Sequence, residues 1–283
     1  MLSISLHPRP AAEADHDQIA SLLYFEGHVH RHLDWHTPLD WLGSPHYWTL
    51  DDRGRLLAAL ACPQDPPGVA WMRLFAFHSY LSGPEAWCPL WEAVCAEINQ
   101  AGGAVVASIV VKSWFESLLQ SSGFEHLQTI VLLERSSHSM AAWRLPQGVS
   151  IRPMLATDLP ALEEIDASAF APLWHNSVNT LQKAFSQSIV ATLAEQAGRP
   201  IGYQISTGNR LGGHLARLGV RKEAQGLGVG SALVGDLVQR LAVRNVSHIT
   251  VNTQADNAAS LTLYKRMGFI PTGEQYPVFV YQT

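Results

Sequence analysis

The segment Gln225-Gly226-Leu227-Gly228-Val229-Gly230-Ser231 packs three glycines into five positions. It lies between an apolar run, HLARLGV, and an amphipathic one, SALVGDLVQRLAVRN. Glycine lets backbone amides turn toward an anion without interference from a Cβ. A helix that begins directly after such a turn adds partial positive charge. The chemistry expected here is the binding of a diphosphate, with no metal and no obligatory lysine. A second cluster stands at Asn257 and Tyr264. The two are nearly two helical turns apart, so they share a face that can line a ligand groove.

Three phosphate-binding patterns compete for the glycine segment. A Walker A loop ends in Gly-Lys-Ser/Thr, and no lysine separates Gly230 from Ser231. A dinucleotide fingerprint needs a third glycine where Ser231 stands and an acid near Thr250. Both fail. The pattern Gln/Arg-x-x-Gly-x-Gly/Ala fits at every position. Around it, LGVRKEAQGLGVGSAL, the strand-like TVNT and NAASLTLYKRMGF follow in order. Together they resemble the cofactor-binding motifs of the Gcn5-related N-acetyltransferase (GNAT) superfamily. The resemblance covers about residues 149–283. Within the superfamily it is similar to the ribosomal-protein-alanine N-acetyltransferases, through FAPLWHNS and NAASLTLYKRMGF.

The resemblance implies acetyl-CoA as co-substrate, held where two strands splay apart. Leu218, Gly219 and Val220 would contact the pantetheine arm, and the Val220 amide would polarise the thioester oxygen. Gln225, Gly226, Leu227, Gly228, Val229, Gly230 and Ser231 would cradle the pyrophosphate. Asn257 would bond the pantetheine arm, and Tyr264 would protonate the leaving thiolate. One position departs from the pattern: Asn252 stands where the N-terminal-alanine enzymes carry a glutamate base. His175, in APLWHNS, and Glu274 and Tyr276, near the last strand, are the substrate-side candidates.

The elements that must position these residues are legible in the second half. Strands are expected at residues 149–154, 188–195, 201–207, 214–220, 249–253, 270–273 and 278–281. Helices are expected after Thr157 as cap, from near Asn176, over 230–244 and over 257–267. In the first half, strands at 47–50, 55–62, 69–77, 105–111 and 129–134 surround helices at 84–101 and 113–121. The order suggests a duplication. Gly123-Phe124 matches Gly268-Phe269 at an offset of 145, and the same offset places Arg152 on His7. The expected fold class is α/β: two tandem acyl-CoA N-acyltransferase folds, each a mixed, mostly antiparallel sheet flanked by helices. The expected boundaries are a degenerate domain at 1–135, a linker at 136–148 and a domain with the acetyl-CoA site at 149–283.

At that offset Gly226 to Gly230 fall on Leu81-Ser82-Gly83-Pro84-Glu85, Asn257 on Lys112 and Tyr264 on Leu119. The first half is therefore expected not to bind CoA, serving instead as a substrate wall or docking surface. Eight of the nine tryptophans lie before residue 149. The run His28-Val29-His30-Arg31-His32-Leu33-Asp34-Trp35-His36 lacks metal-ligand spacing and reads as a polar surface or pocket segment.

Composition bounds the function. The 283 residues are 47% hydrophobic with a net charge of −5. Residues 1–149 carry 8 Lys/Arg against 15 Asp/Glu, and the remainder 11 against 9. Neither half has a nucleic-acid footprint. No apolar run has the length of a membrane span, and the first residues do not read as a signal peptide. Cys62, Cys88 and Cys95 read as reduced thiols of a cytoplasmic protein. The expected activity is N-acetyl transfer to a small-molecule amine or a peptide N-terminus, with no metal, nucleic acid or membrane partner. The rival expectation is a non-catalytic acyl-CoA sensor.

Overall fold

The computed structural model describes residues 6–136 and 143–283. The chain divides into two compact units. Unit 1 is Met1–Leu127 with Pro277–Thr283, and unit 2 is Gln128–Tyr276. No helix among the described residues is long and apolar enough to cross a membrane.

Unit 1 begins with β1 (His7–Pro10), α1 (His16–Phe25) and β2 (His28–Arg31). Next come β3 (Tyr47–Asp52), β4 (Arg55–Ala61), β5 (Val69–Trp71) and β6 (Leu74–Phe77). Then follow α2 (Gly83–Gln100), β7 (Val105–Ile109), α3 (Ser113–Ser121) and the start of β8 (Glu125–Ser136). One sheet has the order β1-β3-β4-β6-β2. β4 lies between two neighbours, and its run Leu56 to Ala61 is fully apolar and buried, as an interior strand requires. The tryptophans serve this core. Trp87 is 1% exposed, meets Phe75 edge-on at 5.0 Å and stacks on Trp91 at 5.5 Å. Trp71 and Trp91 are buried too, so these three build the interior rather than a docking surface.

Unit 2 contains β9 (Val149–Pro153), α4 (Leu159–Ala169), α5 (Val178–Ser186), β10 (Val190–Gln196) and β11 (Arg199–Gly208). It continues with β12 (Gly213–Val220), α6 (Val229–Val243), β13 (His248–Gln254), α7 (Ala258–Arg266) and the start of β14 (Ile270–Gln282). Strands β13-β12-β11-β10-β9 lie in that order, antiparallel except for β12 with β13. Leu233, Leu237 and Leu241 of α6 are all fully buried, as their spacing predicts.

The structure differs from the sequence reading at several points. The two closing strands are one, β14, and its second part pairs with β7 inside unit 1, Val278 opposite Ile109 and Gln282 opposite Val105. Residues 130–136 of β8 pair with β13 inside unit 2. Each half thus supplies a strand to the other unit, which boundaries at 135 and 149 do not describe. Pairing of main-chain amides carries no label of sequence origin, so either strand can fill either gap. Thr157 is not the cap of α4. Asp158 precedes the helix, and its carboxylate takes the Leu155 amide and both terminal nitrogens of Arg152. Of the expected linker, residues 137–142 lie outside the described residues. Trp143 packs against Gly235, where an added Cβ would come within 2.3 Å of its ring.

The duplication itself is written in ion pairs. Arg152 binds Asp158 through both terminal nitrogens and Glu195 through Nε. Arg9 binds Asp15 through both terminal nitrogens and Asp51 through Nε. The counterpart of Arg152 is therefore Arg9, not His7. The offset is 143 there and 145 at Gly123, because the halves differ in loop length between the two points.

Candidate active site

In unit 2, β12 pairs with parallel β13 only over Gly213, His214 and Leu215. On its other side β12 continues along β11 to Val220, and Ala216 is an extra residue between Leu215 and Arg217 in that ladder. A bulge bends a strand and re-aims it. Past this one, among the described residues, no strand pairs with β12 on the side that β13 left. Leu218, Gly219 and Val220 stand on that open edge, where unpaired main-chain groups can receive an extended polar chain. Gly219 also meets a local demand. It lies opposite Tyr203, and a Cβ there would sit 2.7 Å from the tyrosine ring.

The glycine segment follows directly. Gly226 and Gly228 adopt left-handed backbone, with φ of +77° and +88°, a region that favours glycine. Gly228 is the N-cap of α6, and no side chain caps this helix. The first amides of α6 therefore stay open to an anion. Gln225, Gly226, Leu227 and Gly228 are exposed, Val229 is buried and Ser231 half-buried. Gln225 donates from Nε2 to the Val220 carbonyl at 3.0 Å, bracing the turn against the strand end. Gly230 has a packing reason of its own, since a Cβ there would lie 2.9 Å from Leu263 of α7.

Asn257 is the N-cap of α7, its Oδ1 accepting from the Ser260 amide at 3.0 Å. Its carbonyl oxygen is thus engaged, and its amide group, 3.5 Å from Gln254 Oε1, is the part left for a ligand. Tyr264, on the same helix, is 5% exposed and packs on Phe269. Burial pushes its hydroxyl above the ordinary tyrosine range, so it stays protonated. Among the described residues that hydroxyl has no hydrogen-bond partner. Asn252 is exposed on β13, opposite Leu132 of β8.

The substrate-side candidates separate. Tyr276 donates to Glu274, and both lie toward solvent on β14. That hydrogen bond raises the Tyr276 hydroxyl above its usual range. His175 is tied into its own loop, with Nε2 donating to the Phe170 carbonyl at 2.8 Å. The sequence reading missed what holds this loop. Asp166, fully buried in α4, accepts from Tyr203 at 2.5 Å, from Arg217 through two nitrogens at 2.8 Å, and from the Asn176 amide at 2.8 Å. A signal was present. Asp166 falls four residues after Leu162, on the apolar stripe of its helix, and Arg217 interrupts an apolar strand.

Unit 1 repeats this layout with the opening filled. β5 runs parallel to β7, and after Met72-Arg73 the chain resumes as β6 along β4. The expected single strand 69–77 is thus broken where Ala216 breaks β12. The free side of β6 carries β2, with His28 opposite Phe77 and Arg31 opposite Leu74. The first four residues of the histidine run, His28–Arg31, are therefore a strand, in which His28 lines a cavity and His30 turns into the core. His30 is 2% exposed, stacks on Phe115 at 4.3 Å and meets Ser108. The loop from β6 to α2 has five residues (78–82), against eight (221–228) from β12 to α6. Ser82 and Glu85 form a capping box, Glu85 donating its amide to the Ser82 hydroxyl and Ser82 its amide to the Glu85 carboxylate, and Pro84 offers no amide. A cavity of about 410 Å³ remains there, lined by His28, Phe77, Gly83, Pro84, Trp114 and Leu118 among others.

A mixed sheet with a splayed strand pair, a glycine turn and an open helix start is the acyl-CoA N-acyltransferase arrangement. Residues 159–269 match the model of the acetyltransferase (GNAT) family. An uncharacterised N-acetyltransferase of Methanocaldococcus jannaschii is 32% identical over 120 residues, 42% of this chain and 76% of that protein. The chain belongs to the GNAT acetyltransferase family. A mycothiol acetyltransferase of Saccharomonospora viridis is 29% identical over 184 residues, 56% of this chain and 59% of its own. The chain thus spans less than two thirds of that relative. A tandem GNAT protein from the clavulanic acid biosynthesis pathway superposes with a TM-score of 0.65 at 15% identity, covering 98% of both chains. That likeness shows the fold, two GNAT domains in tandem.

Proposed function

We propose that unit 2 transfers an acetyl group from acetyl-CoA to a primary amine by direct attack, and that each chain has one such site. The observation that carries this is the open edge of β12 leading straight into a glycine turn and an uncapped helix. The residues fit the donor. Left-handed Gly226 and Gly228 and the bare amides of α6 suit a diphosphate, and Leu218 to Val220 suit an amide-rich arm. The Val220 amide polarises the thioester oxygen as the amine attacks and an oxyanion develops. Tyr264, held protonated by burial, is the acid for the departing thiolate, a role worth about 10²–10⁴-fold at most. An amine with a pKa of about 8 is partly neutral at pH 7 and needs little base.

The acceptor is a small-molecule amine or a peptide N-terminus. The tandem layout and the mycothiol acetyltransferase relative favour a small molecule. A second reading, a non-catalytic acyl-CoA sensor, draws on Asn252, which accepts no proton. Calorimetric titration with acetyl-CoA, joined to thiol release over a panel of amines, decides between them. Binding at one molecule per chain with turnover of an amine is the expected result. Binding without turnover on any amine supports the sensor, and no binding defeats both.

A further inference from the structure

We propose that Asp166, with Arg217 and Tyr203, is a positioning network that fixes the acceptor side of the unit 2 cleft by holding residues 170–176 against β12. This rests on the acetyl-transfer reading of unit 2. A carboxylate out of water is tolerated only when its lone pairs are fully used. Asp166 meets that demand with four donors drawn from different parts of the unit: Tyr203 on β11, two nitrogens of Arg217 on β12, and the Asn176 amide. The arginine then reaches further. Its Nη2 donates to the Trp174 carbonyl at 2.5 Å, and its guanidinium lies 3.5 Å from the centre of the Phe170 ring. Three points of one loop, at 170, 174 and 176, are therefore fixed to a single residue pair.

The strand that carries Arg217 is the one whose open edge begins at the next residue. Tyr203 lies across Gly219 on that edge. A change in the network thus moves the acceptor loop relative to the strand. The loop has a chemical reason to be held. The Phe170 carbonyl only accepts, so in the neutral imidazole of His175 the proton sits on Nε2. Nδ1 is left with a lone pair and, among the described residues, no partner. Unit 1 has a buried arginine–aspartate pair at the same break, but its aspartate comes from a different element and its arginine lies over Trp41. Arg73, at the break before β6, pairs with Asp34 from the chain after β2.

The test uses the full chain and four variants: Asp166→Asn, Tyr203→Phe, Arg217→Lys, and the double change Asp166→Leu with Arg217→Met. Three quantities are read: the acetyl-CoA Kd by calorimetry, amide exchange of residues 170–176, and KM for the best amine of the panel. In Tyr203→Phe and Arg217→Lys the acetyl-CoA Kd stays within about twofold, exchange in 170–176 quickens, and acceptor KM rises about tenfold, as misplacement of a binding loop predicts. Asp166→Asn behaves the same way but more strongly. If it fails to fold, the two milder variants still decide. The double variant removes both buried charges together, so it regains thermal stability. Acceptor KM is expected to remain raised, which a merely structural role would not produce. Recovery of both, or acceptor and acetyl-CoA constants moving together, or unchanged exchange in 170–176, overturns the proposal. If the wild type turns over no amine, the acetyl-transfer reading fails, while the exchange and calorimetric arms still decide what holds the loop.

Discussion

Residues 69–77 of unit 1 and 213–220 of unit 2 begin alike and end differently. Each opens parallel to one neighbour, breaks, and continues antiparallel to another. In unit 2 the side freed by the break stays open, and eight residues with two left-handed glycines lead to an uncapped helix. In unit 1 the same side holds β2, the loop is three residues shorter, and Ser82 with Glu85 occupies the helix start. The lesson is about how one layout can stand open or closed. An open strand edge and bare amides are left to water or a ligand unless the chain itself satisfies them. Unit 1 satisfies them permanently, and keeps its fold by doing so.

The sharpest break of this comparison is Gly228→Glu. A side chain at φ +88° is strained, and a carboxylate would face the diphosphate. Acetyl-CoA affinity should fall by at least about a thousandfold while the circular dichroism spectrum is kept. Calorimetry on the wild type should give one site per chain. A stoichiometry near two would show that unit 1 is not closed.

The second prediction concerns acid. His30 titrates at about 4 rather than its ordinary 6.5, through burial against a hydrogen bond at Met72. Between those two values the unfolded chain takes up the proton and the folded unit does not. Stability is thus full above pH 6.5 and falls as pH drops toward 4, by on the order of 3 kcal/mol. His32 shifts the same way by burial and by the charge of Arg73, and His214 of unit 2 by burial. Thermal melts at pH 7 and 4.5 should show His30→Leu losing much of this dependence. An unchanged acid response would place His30 outside the filled slot's energetics.

A smaller effect is expected at Tyr264→Phe. Turnover should drop about ten- to a hundredfold with acetyl-CoA Kd unchanged. Equal turnover would remove the acid role. The smallest effect sharpens the other side of the comparison, where the two units agree. Arg9→Lys and Arg152→Lys each lose a forked contact on a partly exposed pair, so each should cost no more than about 1 kcal/mol. Urea melts giving matched losses support the equivalence of Arg9 and Arg152, and a marked inequality opposes it.

What was legible in the sequence follows from how local its physics is. The turn at Gln225–Gly230, the cap at Asn257 and the stripe Leu233, Leu237, Leu241 each act within a few residues, so spacing alone reveals them. The burial of His30 in β2 was missed because histidines count as polar, whereas an imidazole stacked on Phe115 sits well in a core. The Asp166, Arg217 and Tyr203 network joins three elements far apart in sequence and leaves only isolated charges in apolar runs as its trace. The same limit hid the exchanged strands, because β-pairing between distant segments has no periodic mark.

That exchange bears on how the protein is made. During synthesis unit 1 emerges first, but the edge of β7 waits for residues 278–282, which lie more than 160 positions downstream. Until then the first half holds an unfinished sheet, and no ribosome position separates a completed first unit from an unstarted second one. Splitting the gene between residues 136 and 149 would therefore yield two fragments, each short of a strand that the other carries, and co-expression rather than either piece alone should restore soluble protein.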